Sequence, residues 1–436
     1  MWFEKTTFYQ IYPLGFCGAP PQNDDVEENR IQKVTRWIPH LQKLGAGAVL
    51  FNPVFASDAH GYDTRCFTRI DNRLGTNDDF AAVCKALRAA GIRVVLDGVF
   101  NHVGRGFWAF QDVLKNRENS LYKDWFILDF GRQSSYGDSL WYEGWEGHFD
   151  LVKLNLHNPQ VVQHILNAVG GWIDTFGIDG IRLDVAYLLH EVFLQKLRSY
   201  VNSKKADFFL VGEMIHGDYN TMIGPDKLDS ATNYECYKGL YSSFNSLNMF
   251  EIAYSLNRQF GPEDWTLYRG LPLLNFADNH DVTRLATMLK DKAHLPLLYG
   301  LMFGMPGVPC LYYGSEWGAE GGKRQGDAAL RPAFDVPVEN DLFATLAKLC
   351  AIRASAPALA GGSYRQVYLT NPQFIFERSG GGQRLLVAVN AANAEHVAHF
   401  DAGAGTARDL LTGQMADFGG GYRMPPLSVQ FLEMEK

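Results

Sequence analysis

Along most of this 436-residue chain, short apolar runs alternate with stretches in which apolar residues recur at helical spacing. Eight runs read as strands: 7–12, 48–51, 93–100, 180–185, 208–214, 231–236, 271–277 and 308–313. Helical patterns fill 30–44, 77–90, 158–176 and 190–201, the stretch around 250–260, and finally 341–355. The first places Ile31, Val34, Trp37, Ile38, Leu41 and Leu44 on one face and stops at Gly45; Pro39 predicts a kink. Asn77 reads as the cap of the second. Most strands are apolar throughout, as in a sheet with helices on both faces. Such β-α units close naturally into a (β/α)8 barrel, with a doubly wound open sheet as the alternative.

Two stretches break the alternation. Residues 101–157 are rich in aromatics, poor in helical repeats and too long for a simple loop. They read as a subdomain inserted after the third strand, over one barrel mouth. Beyond Ser355 come short strands with Gly-rich turns, at 365–370, 373–378, 384–390, 397–400 and 428–432. This predicts a C-terminal all-β sandwich over 356–436, leaving 1–100 and 158–355 to the barrel.

Four strands end on residues that packing does not require. They are Asp97–His102 (DGVFNH), Gly180–Ala186 (GIRLDVA), Val211–Ile215 (VGEMI) and Phe276–Asp281 (FADNHD). Strand ends that meet at one mouth have a reason to carry acids, histidines and arginine if the mouth is a site. This favours the barrel over the open sheet, whose ligands gather at one switch point. Asp184 and Glu213 form the central pair. Two facing carboxylates are the machinery of glycoside hydrolysis, one attacking the anomeric carbon while the other protonates the leaving oxygen. The plainer reading is a pair of surface acids. Arg182, two residues before Asp184 on the same face, fits both; in the first it keeps Asp184 ionised. Glu213 must carry a proton to donate it. Asp281 is a third acid that can grip sugar hydroxyls, with His102 and His280 as neutral donors. Asp97 reads as a supporting carboxylate beneath the site.

Composition narrows the partners. The chain is 47% hydrophobic and 20% charged, ample for a large core. A net charge of -8 without any Lys/Arg run argues against nucleic acid. Aromatics reach 13%, serving either the core or stacking platforms for flat ligands. Six scattered cysteines show neither C-x-x-C nor zinc spacing, so free thiols in a reducing compartment are expected. No apolar stretch is long enough to span a membrane. The N-terminal MWFEKTTFYQIYPLGF lacks the basic-then-apolar order of a signal peptide, which points to the cytoplasm.

In order and spacing, the four strand ends resemble the four signature regions of the α-amylase superfamily of glycoside hydrolases. His60-Gly61-Tyr62-Asp63 resembles that family's G-Y-D segment, so the resemblance runs over 1–355, and the C-terminal sandwich fits it. It implies Asp184 as nucleophile, Glu213 as general acid/base and Asp281 as transition-state stabiliser. It further implies Tyr62, His102, Arg182 and His280 as ligands of the sugar in subsite −1. A narrower resemblance is to the neopullulanase, cyclomaltodextrinase and maltogenic amylase branch. Leu151-Val152-Lys153-Leu154-Asn155 is similar to its fifth region, with Val152 in place of Pro, and Tyr142-Glu143-Gly144-Trp145 looks related. Asp327 and Arg331 have the spacing of a pair that grips the subsite −2 sugar there, although Arg331 reads equally well as an ordinary ion-pair partner.

Two departures from the branch stand out. Its extra N-terminal β-domain is missing, since the first strand begins near Thr6; expectations about dimers and cyclodextrin preference are thereby weakened, and the oligomeric state stays open. Ile215 stands where the branch carries Trp, which predicts weaker stacking of an acceptor sugar. No cofactor is required by this chemistry. A structural calcium near Asn101 is compatible with the resemblance, but no D-x-D-x-D-G loop is present. The implied activity is retaining hydrolysis of α-glucosidic bonds, mainly α-1,4, in maltodextrins and cyclodextrins through a covalent glycosyl-enzyme intermediate. Glucanotransfer, phosphorolysis and isomerisation share the site. A non-catalytic sugar-binding barrel is the alternative of another class, and such a protein is expected to lose acids that this chain keeps.

Overall fold

The computed structural model describes Met1–Glu435. Eight parallel strands form its centre: β1 (Phe8–Ile11), β2 (Ala48–Phe51), β3 (Arg93–Gly98), β4 (Gly180–Leu183), β5 (Phe209–Gly212), β6 (Ser230–Ala231), β7 (Leu274–Phe276) and β8 (Val308–Tyr312). They lie in the order β6-β5-β4-β3-β2-β1-β8-β7. A parallel bridge between Thr232 and Leu274 joins the two end strands, and the Asn233 amide donates to the Leu274 carbonyl at 2.9 Å. The sheet is therefore a barrel, not an open doubly wound sheet. Its strands are buried on both faces, as apolar runs without alternation require.

Three local expectations need correction. The strand expected over 231–236 stops at Ala231, and a helix follows over Tyr234–Ser246. Asn233 ends the strand because its side chain accepts from the Cys236 amide and caps that helix. Thr76, not Asn77, caps the helix Asn77–Ala89, through reciprocal bonds with Asp79. Asn77 instead accepts from the Ile70 amide. The helix Leu295–Gly304 left no periodic signal at all. All of its residues except Pro296 are buried and all are apolar or aromatic, so it has no polar face.

The insertion is continuous with β3. His102–Gly104 pairs antiparallel with His148–Lys153, which also pairs with Gly144–Trp145. Beside this small sheet lies the helix Trp108–Asn116, which the sequence pattern did not announce. His102 is thus fixed by the insertion's first strand while standing just past the end of β3.

The C-terminal strands are β9 (Ser363–Leu369), β10 (Gln373–Gly380), β11 (Gln383–Asn390), β12 (His396–Ala398), β13 (Thr406–Asp409), β14 (Met415–Asp417), β15 (Tyr422–Met424) and β16 (Ser428–Met434). Six form an antiparallel sheet in the order β9-β10-β11-β16-β13-β14, and β12 pairs with β15. The two sheets share a core that includes Ile375, Leu386, Leu432, Ala398 and Tyr422, a sandwich as expected. Strands β13, β14 and β15 were not foreseen; each has only three or four residues. The other face of the large sheet, with Phe376 and Val387, packs on Leu295–Gly304. There Gly300 and Gly304 let the chains approach so closely that an added Cβ would meet Val429 at 2.6 Å and Val387 at 2.8 Å. Fully burying a side chain of Leu or Phe size contributes about 1.5–3 kcal/mol, so this contact binds the two units firmly.

Candidate active site

The strand register carries the acids to one place. Arg182 lies opposite Asp97 on one side and Val211 on the other. Asp184 follows two residues later and so projects to the same side. The ladder continues past the strands: the Asp184 amide donates to Gly98 at 3.1 Å, and the Glu213 amide donates to Leu183 at 2.8 Å.

Arg182 is the hub. Its Nη1 lies 2.7 Å from Asp97 Oδ2 and 3.0 Å from Asp184 Oδ1, while Nη2 lies 2.6 Å from Glu213 Oε1. All four side chains are buried. Burial opposes the guanidinium charge, but Asp97 and Glu213 together hold it well above its usual range. Three carboxyls share one arginine, however. Burial, then repulsion from Glu213 and Asp97, pushes the Asp184 carboxyl well above its ordinary value against the pull of Arg182. The Asp184 carboxyl therefore resists ionisation until something offsets that burial and repulsion.

The chain bends sharply right after Asp184. Val185 sits in the left-handed region at φ 41° and ψ 48°, which is costly for a β-branched residue. In return its amide donates to Glu213 Oε2 at 3.1 Å. Glu213 is thereby held from both sides, by Arg182 and by Val185.

Tyr62 is positioned by a turn. Asp63 accepts from the amides of His60 and Gly61, both at 3.1 Å. Gly61 has φ +90°, a conformation that favours glycine. Tyr62 then donates to Asp97 Oδ2 at 3.1 Å, and its ring stacks on His280 with 5.6 Å between centroids. His280 Nε2 lies 2.9 Å from Asp281 Oδ2, and Arg331 Nη2 lies 3.0 Å from Asp281 Oδ1. Crowding opposes ionisation of Asp281, but His280 and then Arg331 hold its carboxyl well below the usual range. The same Arg331 nitrogen lies 3.2 Å from Asp327 Oδ2.

A cleft of about 540 Å³ opens above these groups. Of the expected residues, Tyr62, His102, Asp184, Glu213, Asp281, Asp327 and Arg331 line it. Arg182 and His280 lie buried behind that lining, their donors engaged by protein partners. The resemblance implies both as sugar ligands; here neither is among the residues that line the cleft, and both brace side chains that do. Sequence reasoning missed Gln10 and Asn52, which extend the buried network. Gln10 Nε2 donates to Asn52 Oδ1 at 3.0 Å and lies 3.2 Å from His280 Nδ1. Gln10 interrupts the apolar strand β1 and Asn52 directly follows β2, the same signal that revealed the acids. Trp145 and His148, stacked at 5.4 Å, line the cleft from the insertion and were missed as well.

His102 Nε2 is buried, has no hydrogen-bond partner and lies 3.9 Å from Asp184 Oδ2. Burial pushes the imidazole down to about 3, so it is neutral. An unfolded histidine titrates near 6.5, so the unfolded chain binds a proton between about pH 6.5 and 3 that His102 in the fold refuses. Its contribution to stability therefore falls as pH drops through that window. An NMR titration from pH 8 to 4 is expected to show His102 unprotonated throughout; a midpoint near 6.5 would contradict this.

Among the described residues, no group of three or more His, Cys, Asp or Glu gathers in a way that could hold a metal ion. Asn101 is buried, with its amide nitrogen 3.2 Å from His102 Nδ1.

The acid geometry on this barrel has relatives. Residues 10–341 match the family described as "Alpha amylase, catalytic domain". The chain belongs to the α-amylase family of glycoside hydrolases. Among family relatives, a cyclomaltodextrinase from a Bacillus species is 31% identical over 418 residues, covering 91% of this chain and 74% of its own length. The intracellular maltogenic amylase of Bacillus subtilis is 31% identical over 345 residues, covering 73% of this chain and 56% of that protein. Among solved family structures, the cyclic α-maltosyl-(1→6)-maltose hydrolase of Arthrobacter globiformis, in complex with that ring, superposes with a TM-score of 0.85. It is 29% identical, with 99% of each chain covered.

Proposed function

We propose that this α-amylase family member is a retaining hydrolase of α-glucosidic bonds, mainly α-1,4, in maltodextrins and cyclodextrins. One observation carries the reading: two nitrogens of the same guanidinium hold Asp184 and Glu213. That shared clamp supports the short separation, about 5–5.5 Å, at which one carboxylate attacks directly rather than through an interposed water. Asp184 attacks the anomeric carbon while Glu213 gives its proton to the leaving oxygen. Glu213 then takes a proton from water, which releases the sugar from Asp184. The first step requires the acidic proton to be on Glu213. Asp281, kept ionised by His280 and Arg331, grips hydroxyls of the distorted ring. His102 offers a neutral imidazole whose Nε2 is unengaged, and Tyr62 the apolar face of its ring. Asp327 and Arg331 hold the next sugar. The reaction as written uses no metal or cofactor.

Acyclic and cyclic substrates are both included because relatives across the branch carry cyclomaltodextrinase and maltogenic amylase names. A cytoplasmic site of action is supported by the intracellular relative and by six free thiols. No helix among the described residues is long and apolar enough to cross a membrane. A time course of products from maltotriose, pullulan, γ-cyclodextrin and starch tests the proposal. Ring opening and maltotriose cleavage ahead of starch are expected, whereas inertness towards all four would return the protein to the class of binding barrels.

Ile215 is 46% exposed and faces the cleft directly beyond Glu213. It offers no flat face for an acceptor sugar, so water competes well for the intermediate. Ile215→Trp is expected to raise the ratio of transfer to hydrolysis products severalfold, read by chromatography of maltotriose digests. An unchanged ratio would remove Ile215 from the account.

A further inference from the structure

A second cavity, of about 230 Å³, lies at the opposite end of the barrel, where the C-terminal sandwich meets it. Its walls include Glu4, Pro272 and Gly307, which precede β1, β7 and β8. Three arginines line it: Arg269, Arg353 and Arg378. Among the described residues, every hydrogen bond these three donate ends on a backbone carbonyl. Arg269 reaches Gly261 and Glu263; Arg353 reaches Leu359, Glu4 and Gly307; Arg378 reaches Gly304, Leu359, Gly362 and Ser363. Of the other buried arginines, Arg73, Arg182 and Arg198 each pair with an aspartate, while Arg284 stands singly on the Tyr313 and Leu330 carbonyls; among the described residues, only here do several such arginines share one cavity.

Arg353 and Arg378 are almost wholly buried, and cations so placed call for a counter-charge. The one acid on the wall, Glu4, pairs with the amino group of Met1. Burial, with little to offset it, pushes Arg353 down to about 10; burial and the neighbouring Arg353 push Arg378 down to about 9. Two further donors on cavity-lining residues, Arg353 Nε and the Tyr364 hydroxyl, are buried without a partner. Unpaired donors and uncompensated positive charge on residues lining one cavity suit a negatively charged ligand.

We propose that this cavity binds a small oxyanion, either free phosphate or the phosphate group of a phosphorylated sugar. Arg353 belongs to the barrel-side helix Asp341–Ser355 and Arg378 to β10 of the sandwich. An anion between them ties the two units together and stabilises the folded chain in proportion to its occupancy.

The test uses the full chain, with calorimetric titration and thermal melts at constant ionic strength. Inorganic phosphate is one arm and a hexose monophosphate the other, against sodium chloride as reference. Saturable one-site binding with a saturating rise in Tm is expected in at least one arm. The arm that binds more tightly names the source. Arg269→Gln, at the exposed rim, is expected to weaken binding about tenfold, the loss of one charged contact. Tyr364→Phe is expected to weaken it severalfold while leaving the ring in place. Neither residue touches the catalytic cleft, so maltotriose turnover should be unchanged in both. A non-saturating rise in Tm, equal for chloride and phosphate, would overturn the proposal. So would unaltered affinity in both variants.

Discussion

Asp184→Asn is expected to lower kcat on maltotriose by at least about 10⁴-fold, or more than about 5 kcal/mol of transition-state stabilisation. The amide nearly matches the carboxylate in shape, but it cannot form the glycosyl ester. The fold should survive, because Arg182 keeps Asp97 and Glu213 as partners. One of three mutually repelling buried carboxylates is also removed, which offsets part of the lost ion pair. Steady-state kinetics together with a melting curve check both halves. Turnover near that of the unmodified protein would disqualify Asp184 as nucleophile. Lost activity with a collapsed melting curve would instead mark it as structural.

Glu213→Gln separates the two chemical steps. With maltotriose the leaving alcohol needs a proton, and a loss of about 10³-fold or more is expected. An aryl α-maltoside with a nitrophenolate leaving group departs without that proton. The variant should therefore release a burst of nitrophenol and then stall, because no base activates water against the intermediate. Equal losses on both substrates, without a burst, would show that Glu213 is not the acid/base. The substitution also keeps an acceptor oxygen for the Val185 amide, so the local bend can persist.

The residues that react were the most legible part of the chain. Asp184, Glu213 and Asp281 each interrupt or directly follow an apolar strand, and that contradiction of burial is visible without coordinates. Distances across the barrel were not visible, so the burial of Arg182 and His280 behind the cleft lining could not be foreseen. Gln10 and Asn52 carry no charge and are easily read as ordinary strand ends. The helix Leu295–Gly304 escaped for the opposite reason: apolar all round and buried except at Pro296, it has no contrast for a periodic reading to detect. The shortest C-terminal strands are too brief for any alternation to register.

That buried helix also limits how this protein can be divided. A barrel cut away after Ser355 would present Gly300 and Gly304 to water, along with the apolar neighbours that now face Val429, Val387 and Phe376. The sandwich alone would expose the matching face. Recombination that shuffles intact modules between genes would find no clean seam here, and a protease that nicked the connection would release two sticky halves rather than two working parts. The two units would have to be inherited, folded and degraded as one.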